Sequence, residues 1–174
     1  IAAIMGVEVT PAERRVAFVR CAGGSRAGRK YDYIGLADCQ AAVKIAGNGP
    51  LECAYGCLGF GSCVKACKFD ALHINALGAA EVDRDKCTLC RQCMDACPRH
   101  LIIDIPYAAD VVVACASLDK GAAAKNNCAA SCIACKLCEK NCPQDAIHVI
   151  DNVAVIDYTK CTSCGTCVAK CPRK

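Results

Sequence analysis

The sequence predicts an α+β fold: two tandem copies of one small module, each with short antiparallel strands and short helices set between cysteine-rich runs. Three observations predict it. First, the chain repeats internally. Shifted by 75, Cys53, Cys57, Cys63 and Cys67 fall on Cys128, Cys132, Cys138 and Cys142, and Asp70–Ile74 falls on Asp145–Val149. Shifted by 74, Cys87, Cys90, Cys93 and Cys97 fall on Cys161, Cys164, Cys167 and Cys171. Cys39 has a near partner in Cys115. Second, the chain has 20 Cys in 174 residues, with five Tyr, three Phe and no Trp. So few bulky core formers call for a covalent or metal framework. Third, the apolar runs are short, and the stretch around Val111–Ala116 is strand-sized rather than membrane-spanning.

The repeat divides the chain into an N-terminal segment (1–38), a first module (39–108) and a second (109–174), joined around Pro106–Asp110. Ala71–Ile74 and Ala146–Ile150 read as strands, returning at Glu81–Asp83 and Val153–Ile156 after turns at Gly78-Ala79 and Asp151-Asn152. Leu101–Ile105 is a further short strand. Cys63–Cys67 and Cys93–Cys97 suit single helical turns, since residues four apart share a face. In the N-terminal segment, Ile1–Met5 before Gly6 reads as a helix end. Arg15–Cys21 alternates like a strand, and Cys21–Lys30 reads as a mobile loop. Gly23-Gly24 lacks the Lys-Ser/Thr that a phosphate loop requires.

The cysteine runs carry the chemistry. Cys87/Cys90/Cys93/Cys97-Pro98, Cys132/Cys135/Cys138/Cys142-Pro143 and Cys161/Cys164/Cys167/Cys171-Pro172 share the spacing C-x2-C-x2-C-x3-C-P. Three thiolates at two-residue gaps wrap three corners of one [4Fe–4S] cube. The fourth, ahead of Pro, ligates the other cluster of a pair, as in bacterial two-cluster ferredoxins. Disulfides fit such bunched residues poorly, and zinc sites usually use separated Cys pairs. The fold is therefore expected to be tandem bacterial two-[4Fe–4S] ferredoxin-like modules.

The fourth run, Cys53-x3-Cys57-x5-Cys63-x3-Cys67, departs from the pattern: Phe60 stands where the repeat places the middle Cys, Cys135. Cys53 is the expected substitute. The expected ligand sets are Cys53, Cys57, Cys63 and Cys97; Cys67, Cys87, Cys90 and Cys93; Cys132, Cys135, Cys138 and Cys171; and Cys142, Cys161, Cys164 and Cys167. The variant cluster is expected to differ from the others in potential. Cys21, Cys39, Cys115 and Cys128 remain, either as thiols or local disulfides (Cys21 with Cys39, Cys115 with Cys128), or as ligands of a fifth cluster or alternative ligands of one of the four. Cys128 is the most suspect, because it repeats Cys53.

The formal charge is +4. Each oxidised cluster with its thiolates carries about −2, so four bring the total to about −4. Lys65, Lys68, Lys86, Arg91, Lys136, Lys140, Lys160 and Lys170 then compensate cluster charge. No dense basic run interleaved with aromatics points to nucleic acid. His73 and His148 match across the repeat and read as surface strand positions. Tyr31, Tyr33 and Tyr107 read as rim packing. The carboxylates show no arrangement for acid–base catalysis.

Gly56-Cys57-Leu58-Gly59-Phe60-Gly61-Ser62-Cys63, followed by Cys67-Lys68-Phe69-Asp70-Ala71, resembles the B subunit of the Rnf-type ferredoxin:NAD oxidoreductases. Tyr31–Cys39, Asp119-Lys120-Gly121, Cys128 and Cys132–Cys135 are similar too, so the resemblance runs from about Arg20 onward. It implies a membrane-associated complex that couples ferredoxin oxidation to NAD reduction and to sodium or proton transport. This subunit would take electrons from reduced ferredoxin, with flavin and NAD sites on partner subunits. It further implies an anchor at the cytoplasmic face of the membrane, supplied by a region upstream of Ile1. The alternatives are a soluble polyferredoxin, the ferredoxin subunit of another oxidoreductase, or a purely structural metal role.

Overall fold

A computed structural model describes residues 13–173; the helix end expected at Ile1–Met5 lies outside them. Strand β1 (Arg15–Val19) pairs antiparallel with β4 (Ile102–Pro106), in register from Arg15 opposite Pro106 to Val19 opposite Ile102. Arg15 Nε donates to Asp104 Oδ2 across the pair at 2.8 Å. The alternation read in Arg15–Cys21 is thus a strand. Its partner comes from the end of the first module, so residues upstream of 39 help build that module's core. Val16, Ala17 and Val19 are buried with Leu72, Leu101, Ile102 and Ile105.

Each module also contains one hairpin. In the first, β2 (Leu72–Ile74) pairs with β3 (Ala80–Val82), and the Asn75 side-chain oxygen accepts from the N–H groups of Leu77 and Ala79 to close the turn. In the second, β5 (Ile147–Ile150) pairs with β6 (Val153–Ile156). There Asp151 and Asn152 both take positive φ, 47° and 66°. A two-residue turn of that kind matches the right-handed twist of the strands, and Asn and Asp tolerate it.

The helices are short. They are α1 (Cys39–Val43), α2 (Ser62–Ala66), α3 (Gln92–Ala96), α4 (Gly121–Asn127), α5 (Leu137–Lys140) and α6 (Thr166–Lys170). α2 packs on α3 and α5 on α6, one pair per module. The cysteine spacing foretells the turns at α2 and α3 but not α1 or α4. Helix α1 depends on a tertiary cap, described below, and α4 is a run of three alanines whose propensity carries one short helix.

The segment read as a mobile loop, Cys21–Lys30, is instead tied to both modules. It contains a single 3₁₀ turn, Gly24–Arg26. Ser25 N donates to Leu77 O at 2.6 Å in the first module, and Gly28 N to Asn127 O at 2.9 Å in the second. Ala27 and Arg29 form isolated bridges with Cys128 and Leu51. The Gly-rich composition serves close approach, not mobility. Gly24 has φ +51°, and a Cβ there would stand 2.0 Å from Leu77 O. Only glycine fits such a position.

Candidate iron–sulfur centre

The cysteine runs owe their shape to an unusual backbone repeat. Leu89 and Arg91 have positive φ on either side of Cys90; Ala134 and Lys136 do so around Cys135, and Ser163 and Gly165 around Cys164. In the variant run, Gly59 and Gly61 take the same conformation around Phe60. Each run therefore curls twice through the left-handed region and then enters α3, α5, α6 or α2. Non-glycine residues there are uncommon, and they persist where the surroundings over-determine them. The loop built this way turns its cysteines toward one side. Cys90, Cys135 and Cys164 stand exposed at the three loop apices.

The structure then gathers cysteines around separate cavities. Cys67, Cys87, Cys90 and Cys93 line one. Cys142, Cys161, Cys164 and Cys167 line a second. Cys132, Cys135, Cys138 and Cys171 line a third, together with Cys115 and Cys167, which also border neighbouring cavities. Each of the three contains the four cysteines that the spacing groups together, including the one from the other run of its module.

The fourth cavity differs from the expected set. It is lined by Cys57, Cys63, Cys97 and Cys39, while Cys53 lies elsewhere. The reason is local. Asp38 caps α1, accepting from Ala41 N at 2.9 Å, and its second oxygen accepts from Ser62 Oγ at 2.9 Å. Ser62 Oγ in turn accepts from Cys39 N at 2.8 Å. This latch fixes Cys39 against α2, which carries Cys63. The Asp38 carboxyl is held below the usual carboxylate range by the Ala41 N–H first and the Ser62 hydroxyl second. Asp38 at an N-cap position was the one signal in the sequence that could have singled out Cys39.

Cys21, Cys53, Cys115 and Cys128 line a further cavity, with Tyr55 on its wall, an aromatic that no sequence signal singled out. None of the twenty cysteines is disulfide-bonded, and Cys21 and Cys39 line different cavities.

Do these residues fit an iron–sulfur core? Among the described residues, no three His, Cys, Asp or Glu side chains are placed to hold a single metal ion. The quartets surround a volume rather than a point. Backbone N–H groups also aim at the sulfurs: Ala17 N at Cys87 Sγ (3.4 Å), Ala71 N at Cys67 Sγ (3.4 Å), Ala80 N at Cys57 Sγ (3.5 Å) and Ala146 N at Cys142 Sγ (3.3 Å). Such donors favour thiolate over thiol and are one of the levers that set cluster potential. Burial opposes them in the metal-free chain, pushing the Cys63 thiol up to about 12 and Cys93 to about 11, with neighbouring thiols adding to the effect. Iron binding must then displace those protons. A multi-iron core held by four soft thiolates per site fits this donor set.

The remaining candidates take supporting places. His73 is exposed on β2. His148 Nδ1 lies 3.5 Å from Glu139 and lines no cysteine cavity. Tyr33 packs on Phe60 with ring centroids 5.0 Å apart. Tyr107 lies under Arg14, 4.0 Å from its guanidinium, and donates to Asp85. Arg91 and Lys136 border cysteine cavities. Among the described residues, no helix is long and apolar enough to cross a membrane.

The comparisons with known proteins agree with this chemistry. Residues 86–146 and 131–174 each match a 4Fe-4S dicluster domain, and 57–71 match a 4Fe-4S binding domain. The chain is 45% identical over 99% of its length to the B subunit of the Na(+)-translocating ferredoxin:NAD(+) oxidoreductase complex of Acetobacterium woodii, covering 52% of that protein. It is 44% identical over its full length to the B subunit of the ion-translocating oxidoreductase complex of Methanosarcina acetivorans, covering 66%. Against the proton-translocating counterpart from Clostridium ljungdahlii it is 45% identical over 99% of its length, covering 61%. The chain thus spans about half to two thirds of the length of these relatives. Multiple [4Fe–4S] sites, tandem dicluster domains and near-complete alignment to three such proteins place this chain in the family of B subunits of Rnf-type oxidoreductase complexes.

Proposed function

We propose that this chain carries electrons from reduced ferredoxin to partner subunits of a membrane-bound, ion-translocating ferredoxin:NAD oxidoreductase. The observation that carries the reading is the gathering of cysteines around cavities in groups that contain these quartets, two in each ferredoxin-like module. In this assignment Cys39, Cys57, Cys63 and Cys97 hold one [4Fe–4S] cluster, and Cys67, Cys87, Cys90 and Cys93 hold the second. Cys132, Cys135, Cys138 and Cys171 hold the third, and Cys142, Cys161, Cys164 and Cys167 the fourth. The modules are residues 39–108, completed by β1, and 109–174.

When bound, such clusters supply one-electron redox chemistry at low potential. The chain's own residues do the rest. Backbone N–H groups stabilise thiolate charge, and apolar neighbours such as Leu101 and Ile147 limit water around the sulfurs. The exposed apices at Cys90, Cys135 and Cys164 bring those sulfurs to the surface, where a protein donor or acceptor can approach. Flavin and NAD sites belong on other subunits in this reading. In this reading the complex works at the cytoplasmic face of the membrane. Identity is equal, at 45%, to a sodium-named and a proton-named relative, so it does not select the ion.

The test is anaerobic electron transfer. Mixed with stoichiometric reduced low-potential ferredoxin, the iron-loaded chain is expected to bleach in the visible while the ferredoxin reoxidises. A chain that stays oxidised beside a fully reduced ferredoxin would count against the proposal.

A further inference from the structure

The quartet Cys21, Cys53, Cys115 and Cys128 belongs to neither ferredoxin-like pair, and its arrangement is symmetric between the modules. Cys53 and Cys128 are repeat mates under the shift of 75, and each is held by the arginine that follows the last Cys-Pro of its own module. Arg99 Nη1 donates to Cys53 O at 3.3 Å, and Arg173 Nη2 to Cys128 O at 2.9 Å. Cys21 and Cys115 are matched as well. Cys21 Sγ accepts from Gly23 N, two residues on, at 3.4 Å. Cys115 Sγ accepts from Ser117 N, also two residues on, at 3.5 Å. Cys21 Sγ accepts a second bond from Cys57 N at 3.2 Å, and Cys115 lines one cavity together with Cys132. Cys57 and Cys132 are themselves repeat mates. The counterpart of Cys115 is therefore Cys21, not Cys39 as the sequence register suggested.

We infer that these four cysteines bind a fifth [4Fe–4S] cluster between the modules, two ligands coming from each side. The inference rests on the electron-transfer reading of the other four quartets. Four soft thiolates converge on one cavity together with Tyr55, Ala114 and Ser131, and no other charged group lines it except Arg20. Gly23 forms part of the wall. A Cβ at that position would be in van der Waals contact, at 3.4 Å, with both Cys21 Sγ and Cys128 Sγ, so a longer side chain there would enter the space between the sulfurs.

Two consequences follow. The site staples the modules together, because losing it releases Cys21 and Cys53 from Cys115 and Cys128. It also completes a line of five sites. The bond from Cys57 N to Cys21 Sγ joins it to the Cys39/Cys57/Cys63/Cys97 site, and the cavity that Cys115 shares with Cys132 joins it to the Cys132/Cys135/Cys138/Cys171 site. One electron arriving from a reduced neighbouring site leaves to the other side; no bond forms or breaks and no proton is needed.

The test counts iron and acid-labile sulfide in the anaerobically reconstituted chain. The wild-type chain is expected to hold about twenty irons, and Cys115→Ser/Cys128→Ser about sixteen, with the signals of the other four clusters retained. Gly23→Leu, which keeps every thiol and an ordinary backbone, is expected to lose the same four irons. Flash photoreduction is expected to equilibrate electrons between the modules in the wild-type chain and to lose that phase in both variants. About sixteen irons in the wild-type chain would overturn the fifth site and leave the four-cluster reading standing. Iron well below that level would sink both. Full iron in Gly23→Leu, or unchanged equilibration in the variants, would also contradict the proposal.

Discussion

Removing iron from this chain is expected to unfold it, not merely to bleach it. The second module shows why. Its buried apolar residues, cysteine aside, are few and small: Ala109, Val111, Ala124, Ala146, Ile147, Val153 and Ala154. Its hairpin has only two strands, a unit that is marginal in water without something to pack against. In the first module, Cys63, Cys87 and Cys93 are themselves part of the buried core. Structural metal sites in small domains contribute about 10–16 kcal/mol for zinc, against a typical domain stability of about 5–15 kcal/mol. Iron–sulfur ligation on that scale exceeds what the apolar contacts supply here. The direction of the thiol pKa values agrees: without metal, burial keeps Cys53, Cys57 and Cys63 protonated. Anaerobic treatment with an oxidant and a chelator should therefore abolish visible absorbance and far-UV circular dichroism in one transition. Retention of the dichroism after the colour has gone would show that the polypeptide holds the fold by itself.

Arg99 is the side chain whose charge should matter most to potential. It is partly buried, and its guanidinium donates to carbonyls of Cys53, Gly56 and Asn48. Its Nε has no hydrogen-bond partner. Burial lowers its pKa, and Cys53, Cys57, Cys21 and Cys39 push the other way; an arginine stays charged under that balance. Its positive charge therefore sits between two thiolate quartets and favours the reduced, more negative state of each. At roughly 8 Å and an effective dielectric constant of about 20, one charge contributes ~2 kcal/mol, or roughly 90 mV for a one-electron couple. Arg99→Gln is expected to lower the potential of the Cys39/Cys57/Cys63/Cys97 site by about that amount. Arg99→Lys keeps the charge and should recover most of the shift. EPR-monitored redox titration reads both. An unshifted Gln variant, or a Lys variant as low as Gln, would show that charge is not the lever.

Much of the site was legible before the structure because the chemistry is local. Three runs place three ligands each within seven residues, and Pro marks where the fourth departs, so three quartets follow from spacing alone. The fourth quartet differs between sequence and structure at one position, because Cys53 is near in sequence and Cys39 is near in space. The Asp38–Ser62 latch that brings Cys39 in is a tertiary contact. The loop shape was also hidden. Leu89, Arg91, Ala134 and Ser163 give no composition signal for positive φ, and only Gly59, Gly61 and Gly165 announced it. Strand β1 was visible as alternation, but its partner β4 lies more than eighty residues away, and no periodicity reveals pairing across that distance. The Gly-rich stretch after Cys21 was misread because composition does not tell glycine used for flexibility from glycine used for close approach. Cys21 and Cys115 could not be matched by a fixed shift, since Cys21 precedes the first module by an irregular interval.

The most direct test of the central claim is Mössbauer spectroscopy of chain grown or reconstituted with ⁵⁷Fe, kept free of oxygen. The assignment predicts that essentially all iron appears as the valence-delocalised pairs of oxidised [4Fe–4S] clusters and becomes paramagnetic on one-electron reduction of each. A spectrum of isolated tetrathiolate iron, or a folded colourless chain holding zinc in place of iron, would contradict it.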